Sequence, residues 1–151
     1  MRKYICLVMV ILCLTACSGS KAVFSNLMMQ KIVEKNVVVS INTAHPMSGS
    51  MIVLTSPYSL KIKGDSVFSY LPYYGRAYSV PYGGGNGLNF NDKILSYSER
   101  ITTKGMSEII IGTKNNEDTY RYVIYLSPTG SASIDVSSYN RQSISFTGSW
   151  E

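Results

Sequence analysis

Few side chains in this 151-residue chain could do chemistry, and their types limit what that chemistry could be. There is one histidine, His45. A lone imidazole could serve as a general base, but no Gly-x-Ser-x-Gly elbow supplies it with a nucleophile. The nine carboxylates include no calcium-loop spacing, and a glycosidase pair would have to be assembled in space, which spacing cannot test. Gly83, Gly84, Gly85 and Gly87 form a glycine-rich run. It lacks the spacing and the following helix of a phosphate-binding loop, so it reads as a turn or bulge. The remaining candidate is a cluster of Tyr73, Tyr74, Tyr78 and Tyr82 around Arg76. Tyrosine faces stack on sugars and peptide side chains, and a guanidinium can grip a carboxylate with two parallel bonds. These residues could form a recognition surface. They could equally be rings packed over one end of a sheet, with Arg76 on backbone carbonyls. No enzyme, cofactor or metal site is expected.

The cysteines point elsewhere. Arg2 and Lys3 precede an uncharged apolar stretch from Ile5 to Leu14. That stretch is shorter than the roughly 20 residues a bilayer span needs, as in a secretion signal. Leu14-Thr15-Ala16-Cys17 resembles the bacterial lipobox, in which the cysteine thiol receives a diacylglycerol and becomes the first residue. Residues 1–16 are therefore expected to be a signal peptide, Cys17 the lipidation site, and residues 17–21 a short tether. Residues 22–151 form one domain. Cys6 and Cys13 leave with the signal, so this domain has neither a free thiol nor a disulfide. Removing Arg2 and Lys3 takes 14 basic residues to 12 against 9 acidic, a mild excess with no basic run, and nucleic acid is not an expected partner. No aspartate adjoins Cys17 and no acidic stretch follows it. By resemblance to lipoprotein sorting rules, the domain should sit on the periplasmic side of the outer membrane.

These groups must be positioned by a strand-rich domain. Phe24, Leu27, Met28 and Ile32 lie on one helical stripe between Ala22 and Lys35, with Asn36 as the stop. The stripe is expected to pack on the sheet. From Val37 onward the period becomes two. Strands are expected around Val37–Ile41, Met51–Thr55, Tyr58–Lys63, Val67–Leu71, Ile94–Thr102, Ser107–Thr113, Thr119–Leu126, Ala132–Ser138 and Ser143–Thr147. Lys63-Gly64-Asp65-Ser66 reads as a tight hairpin turn. The fold class is mainly β, with one N-terminal helix packed on a curved antiparallel meander sheet or small barrel of about nine strands. A two-sheet sandwich is the second choice. Pro72 to Asn91 is a long connection, of a length that is often functional.

The segments Leu60 to Val67, Tyr70 to Gly84 and Ser138 to Gly148, with Gly75-Arg76-Ala77-Tyr78 and Asn140-Arg141-Gln142-Ser143 within them, resemble the domain of unknown function 4251 family. Those are lipoproteins mainly of Bacteroides-type bacteria. The resemblance brings no activity or site residue. It does bring Arg141 beside Arg76 as a second binding candidate, with Asp65 as a partner, or else an ion pair that locks the loop. The function expected is binding of an envelope protein or glycan polymer. Carriage of a small apolar ligand inside a barrel is the alternative, and a cell-wall enzyme stands third.

Overall fold

A computed structural model describes residues 23–79 and 85–151. One helix, α1 (Asn26–Val33), precedes eight strands: β1 (Asn36–Pro46), β2 (Ile52–Lys63), β3 (Ser66–Leu71), β4 (Leu88–Ile101), β5 (Ser107–Lys114), β6 (Thr119–Leu126), β7 (Ser131–Ser138) and β8 (Ile144–Trp150). Each strand pairs antiparallel with the next, and β8 returns to β1, so the meander closes into a barrel.

Alternation decides which side chains face inward. Val37, Val39 and Ile41 of β1, Ile109 and Ile111 of β5, and Tyr120, Tyr122, Ile124 and Leu126 of β6 are buried, as are Ile134, Phe146 and Trp150. They join in one hydrophobic cluster. Eight strands enclose a space about wide enough for such side chains to fill. Polar atoms that enter it are bonded. The Tyr122 hydroxyl donates to Ser69 Oγ at 3.1 Å, and Ser69 Oγ donates to the Leu88 carbonyl at 2.6 Å.

α1 lies over the mouth from which β1 starts. Ser25 caps it, accepting the Met28 N–H at 3.2 Å, and Ile32 drops into the core with no exposed surface. Phe24 meets the Trp150 ring at 6.0 Å. Leu27 departs from the expected stripe and is 63% exposed. The stop also differs by one residue. Lys35 takes the left-handed conformation (φ 51°) and Asn36 opens β1. Lys35 is held there by three contacts. Its carbonyl accepts the Gly64 N–H at 2.9 Å, its ammonium meets Asp65 at 3.3 Å, and that ammonium lies 4.6 Å from the Tyr97 ring centre.

The strand number is eight because Met51–Thr55 and Tyr58–Lys63 belong to one strand, β2. Pro57 lies between them. In the β1–β2 pairing, Ile41 faces Tyr58 while Thr43 faces Val53. The extra residues bulge out around Pro57, which has no N–H to give, and the strand continues beyond them. The long connection is also shorter than its sequence suggests, since β4 begins at Leu88. Strand β3 has 6 residues, flanked by β2 with 12 and β4 with 14.

Candidate functional site

The end of the barrel opposite α1 carries the connection from β3 to β4, the β5–β6 turn and the β7–β8 connection, and these three are laced together. After β3 the chain crosses toward the β7–β8 connection and pairs with it through a bridge between Ala77 and Arg141. The Gln142 N–H donates to the Arg76 carbonyl at 3.0 Å, and the Arg76 N–H donates to Gln142 Oε1 at 3.1 Å. The Tyr73 hydroxyl reaches both the Arg76 and Gln142 carbonyls, at 2.9 and 3.0 Å. The Tyr78 N–H donates to the Asn140 carbonyl at 2.7 Å.

Arg141 sits beneath this strap, 6% exposed. Its Nη2 donates to Glu117 Oε2 at 3.1 Å, and its guanidinium carbon is 5.5 Å from the Tyr73 ring centre. Glu117 Oε1 accepts the Asn86 N–H at 3.1 Å, which ties down the far end of the long connection. A Cβ on Gly85 would meet both the Glu117 carboxylate and the Arg141 guanidinium, so a side chain here would have to displace the ends of that ion pair. Asp118 accepts the N–H groups of Thr119, Tyr139 and Asn140, fixing the β5–β6 turn to the β7–β8 connection. The Tyr73 phenol is raised in pKa by burial, partly offset by the Arg141 charge and the bond to Gln142. Burial also raises Tyr120, whose hydroxyl donates to the Gly87 carbonyl at 3.1 Å.

The six candidate residues thus occupy different places. Tyr73 and Arg141 lie inside the lacing. Tyr74 and Arg76 line an open groove of about 520 Å³ with Pro46, Met51, Ile52 and Gln142. Tyr78 is 70% exposed. Tyr82 and the lipidation candidate Cys17 lie outside the described residues. Asp65 does not join Arg76 and Arg141. It turns between β2 and β3 at the α1 end of the barrel and pairs with Lys35.

A second groove, of about 660 Å³, runs along the outside of the barrel on the far side of Pro46. Arg100, Glu108, Arg121, Tyr125 and Asp135 line it, with His45. His45 lies near the end of β1, and its Nε2 is 3.2 Å from Thr147 Oγ1. Arg100 Nε donates to Glu108, whose carboxyl is thereby held below the ordinary carboxylate range although the residue is only 5% exposed. Sequence reading did not find this groove. Its residues hold ordinary alternating outward positions on each strand. What aligns them is the register between strands, such as Arg100 opposite Glu108 and Val123 opposite Asp135. Among the described residues no three His, Cys, Asp or Glu side chains come together as a metal site. No described helix is long and apolar enough to cross a membrane.

The fold and the laced end define a class: a small antiparallel barrel closed from first strand to last, with a helix over one mouth and a strap of chain over the other. The sequence profile of the domain of unknown function family DUF4251 matches residues 21–150, and the chain belongs to that family. The fold is similar to that in the crystal structure of a DUF4251 family protein from Bacteroides eggerthii, with a TM-score of 0.60 and 12% sequence identity over 81% of this chain and 83% of that one. No curated protein matches the sequence.

Proposed function

We propose that this protein is a non-catalytic binding module of the bacterial envelope, lipid-anchored through Cys17 to the outer membrane and facing the periplasm. It engages an envelope protein or a glycan polymer at the end of the barrel remote from α1. The observation that supports this reading is a division of labour at one end of the barrel. Tyr73 and Arg141 hold the strap in place, while Tyr74 and Arg76 line a groove beside the apolar Met51 and Pro46. A fixed backbone presenting an aromatic ring and a guanidinium is the arrangement in which such side chains contribute most to recognition, since little ordering is left to be done on binding.

The interior offers less to a ligand. Tyr120, Tyr122, Phe146 and Ile134 point inward and are buried in one cluster, which disfavours carriage of an apolar molecule there. The test is cross-linking and pull-down from whole cells with wild type and a Tyr74→Ala, Arg76→Ala double variant. A variant that keeps its circular dichroism spectrum but loses the partner supports the reading. A folded variant that keeps the partner sinks it.

A further inference from the structure

The mouth covered by α1 carries several exposed aliphatic side chains. α1 buries Ile32 and packs Phe24 and Met28 on the core. Leu27 and Val33 on its outer side and Val23 just before it are 63, 70 and 81% exposed, and the exposed side chains of Gln30 and Glu34, hydrogen-bonded to each other at 2.8 Å, lie between Leu27 and Val33. Ile101, 50% exposed, ends β4 at the same end of the barrel. Aliphatic side chains gathered on one end of a small domain mark a contact surface more often than scattered ones do.

The sequence supplies the occupant. Five residues separate Cys17 from Val23. Even fully extended, that run reaches only about 20 Å. An acyl chain on Cys17 therefore keeps this end, and not the strapped end, beside the bilayer. We propose that α1 is a second membrane contact. Val23, Leu27 and Val33 seat in the phospholipid interface next to the lipidated cysteine, with the Gln30–Glu34 pair among the headgroups. The barrel then stands with the Tyr74–Arg76 groove directed away from the membrane. This rests on the lipid anchoring proposed above.

The helix is too short to hold a protein on a membrane by itself. The anchor makes its docking intramolecular, so a weak apolar contact is enough. Charge contributes little. Lys21 beside the anchor and Lys31, Lys35, Lys63 and Lys104 at this end are set against Glu34, Asp65 and Glu151, a small basic excess that neutral lipid does not attract. The seating should therefore be insensitive to salt and should need no anionic lipid.

The test uses the full lipidated protein in phosphatidylcholine vesicles. The chain beyond Cys17 has no other cysteine, so a polarity-sensitive dye can be placed on Leu27→Cys, on Val33→Cys, or on Ser48→Cys at the opposite end. The expected result is blue-shifted emission, quenched by nitroxide-labelled lipid, for the first two labels and neither effect for the third, at low and high salt alike. A Val23→Ser, Leu27→Ser variant should lose both effects at the Val33 label. The proposal is overturned if the α1 labels stay as hydrated as the Ser48 label while mass spectrometry shows Cys17 acylated. It is equally overturned if those labels are shielded but unquenched by lipid, which would mean a second copy covers the face. Absence of the acyl mass itself would remove the anchor reading and this seating together.

Discussion

Arg141 and Glu117 form an ion pair at 3.1 Å under the strap, with the guanidinium roofed by the Tyr73 ring and 6% exposed. Removing one partner of such a pair leaves the other charge enclosed without compensation. Arg141→Met should lower stability by about 3 kcal/mol, read as an earlier urea midpoint. Combining it with Glu117→Gln should recover part of that loss, because the stranded carboxylate is gone. An Arg141→Met variant as stable as wild type would show that the ion pair does not hold the lacing together.

Tyr73 and Tyr74 are neighbours in sequence with opposite duties. Tyr73→Phe removes a hydroxyl bonded to two carbonyls and should cost about 1 kcal/mol without a specific loss of partner binding. Tyr74→Ala should leave the melting temperature close to wild type, since its ring faces the groove. Thermal melts of the two variants side by side check this. The reverse ranking would move the binding surface off this strap.

Gly148 lies opposite Ile41 where β8 meets β1. A Cβ there would run into the Ser40 carbonyl oxygen, a backbone atom that cannot step aside. Gly148→Ala should cost about 3 kcal/mol or prevent folding. Gly64→Ala, at φ 57° but with open space around it, should cost only about 1 kcal/mol. Comparing soluble yield and urea midpoints ranks the two.

Glu108 has its pKa lowered chiefly by the hydrogen bond from Arg100. A carboxyl depressed on folding adds stability that is in place above the ordinary carboxylate range and is lost as pH falls through the lowered value. Glu108→Gln should thus be less stable than wild type at neutral pH, and the gap should narrow as pH falls below the ordinary carboxylate range. A gap that stays constant down the pH series would show the pair contributes nothing through charge.

Burial raises the phenol pKa of Tyr73, Tyr97, Tyr120 and Tyr122. A proton held more tightly in the folded state stabilises that state fully below the ordinary value of about 10, and the benefit fades as pH climbs toward the raised value. Phenolate absorbance should therefore rise in two stages, the second coinciding with loss of the circular dichroism signal. Tyr122→Phe should take one phenol out of the second stage.

Much of the fold was legible in the sequence. Period-two alternation located Val67–Leu71, Ser107–Thr113 and Thr119–Leu126 almost residue for residue, because burying one face of a strand writes itself into the chain. The Lys63–Ser66 turn was equally plain, since Gly64 needs a positive φ there. Met51–Thr55 and Tyr58–Lys63 read as two strands because the bulge around Pro57 interrupts the alternation without ending the ladder. The start of β4 was hidden because Leu88 to Asn91 follows directly on a glycine run. Arg141 was recognisable as a candidate but its partner was not. Glu117 sits 24 positions earlier, in what reads as a solvated turn, and only the barrel brings the two connections together.

The seam between β1 and β8 governs how the chain can reach this state. Val39 faces Trp150, so the first strand waits for the last before either has two neighbours. Hairpins between successive strands can zip early, but closure joins the two ends of the domain, and such distant contacts make folding slow. Until that step β1 and β8 are both open edges, ready to pair with a strand of any other chain. Loss of β8 would not give a smaller barrel; it would leave an open curved sheet with two adhesive margins.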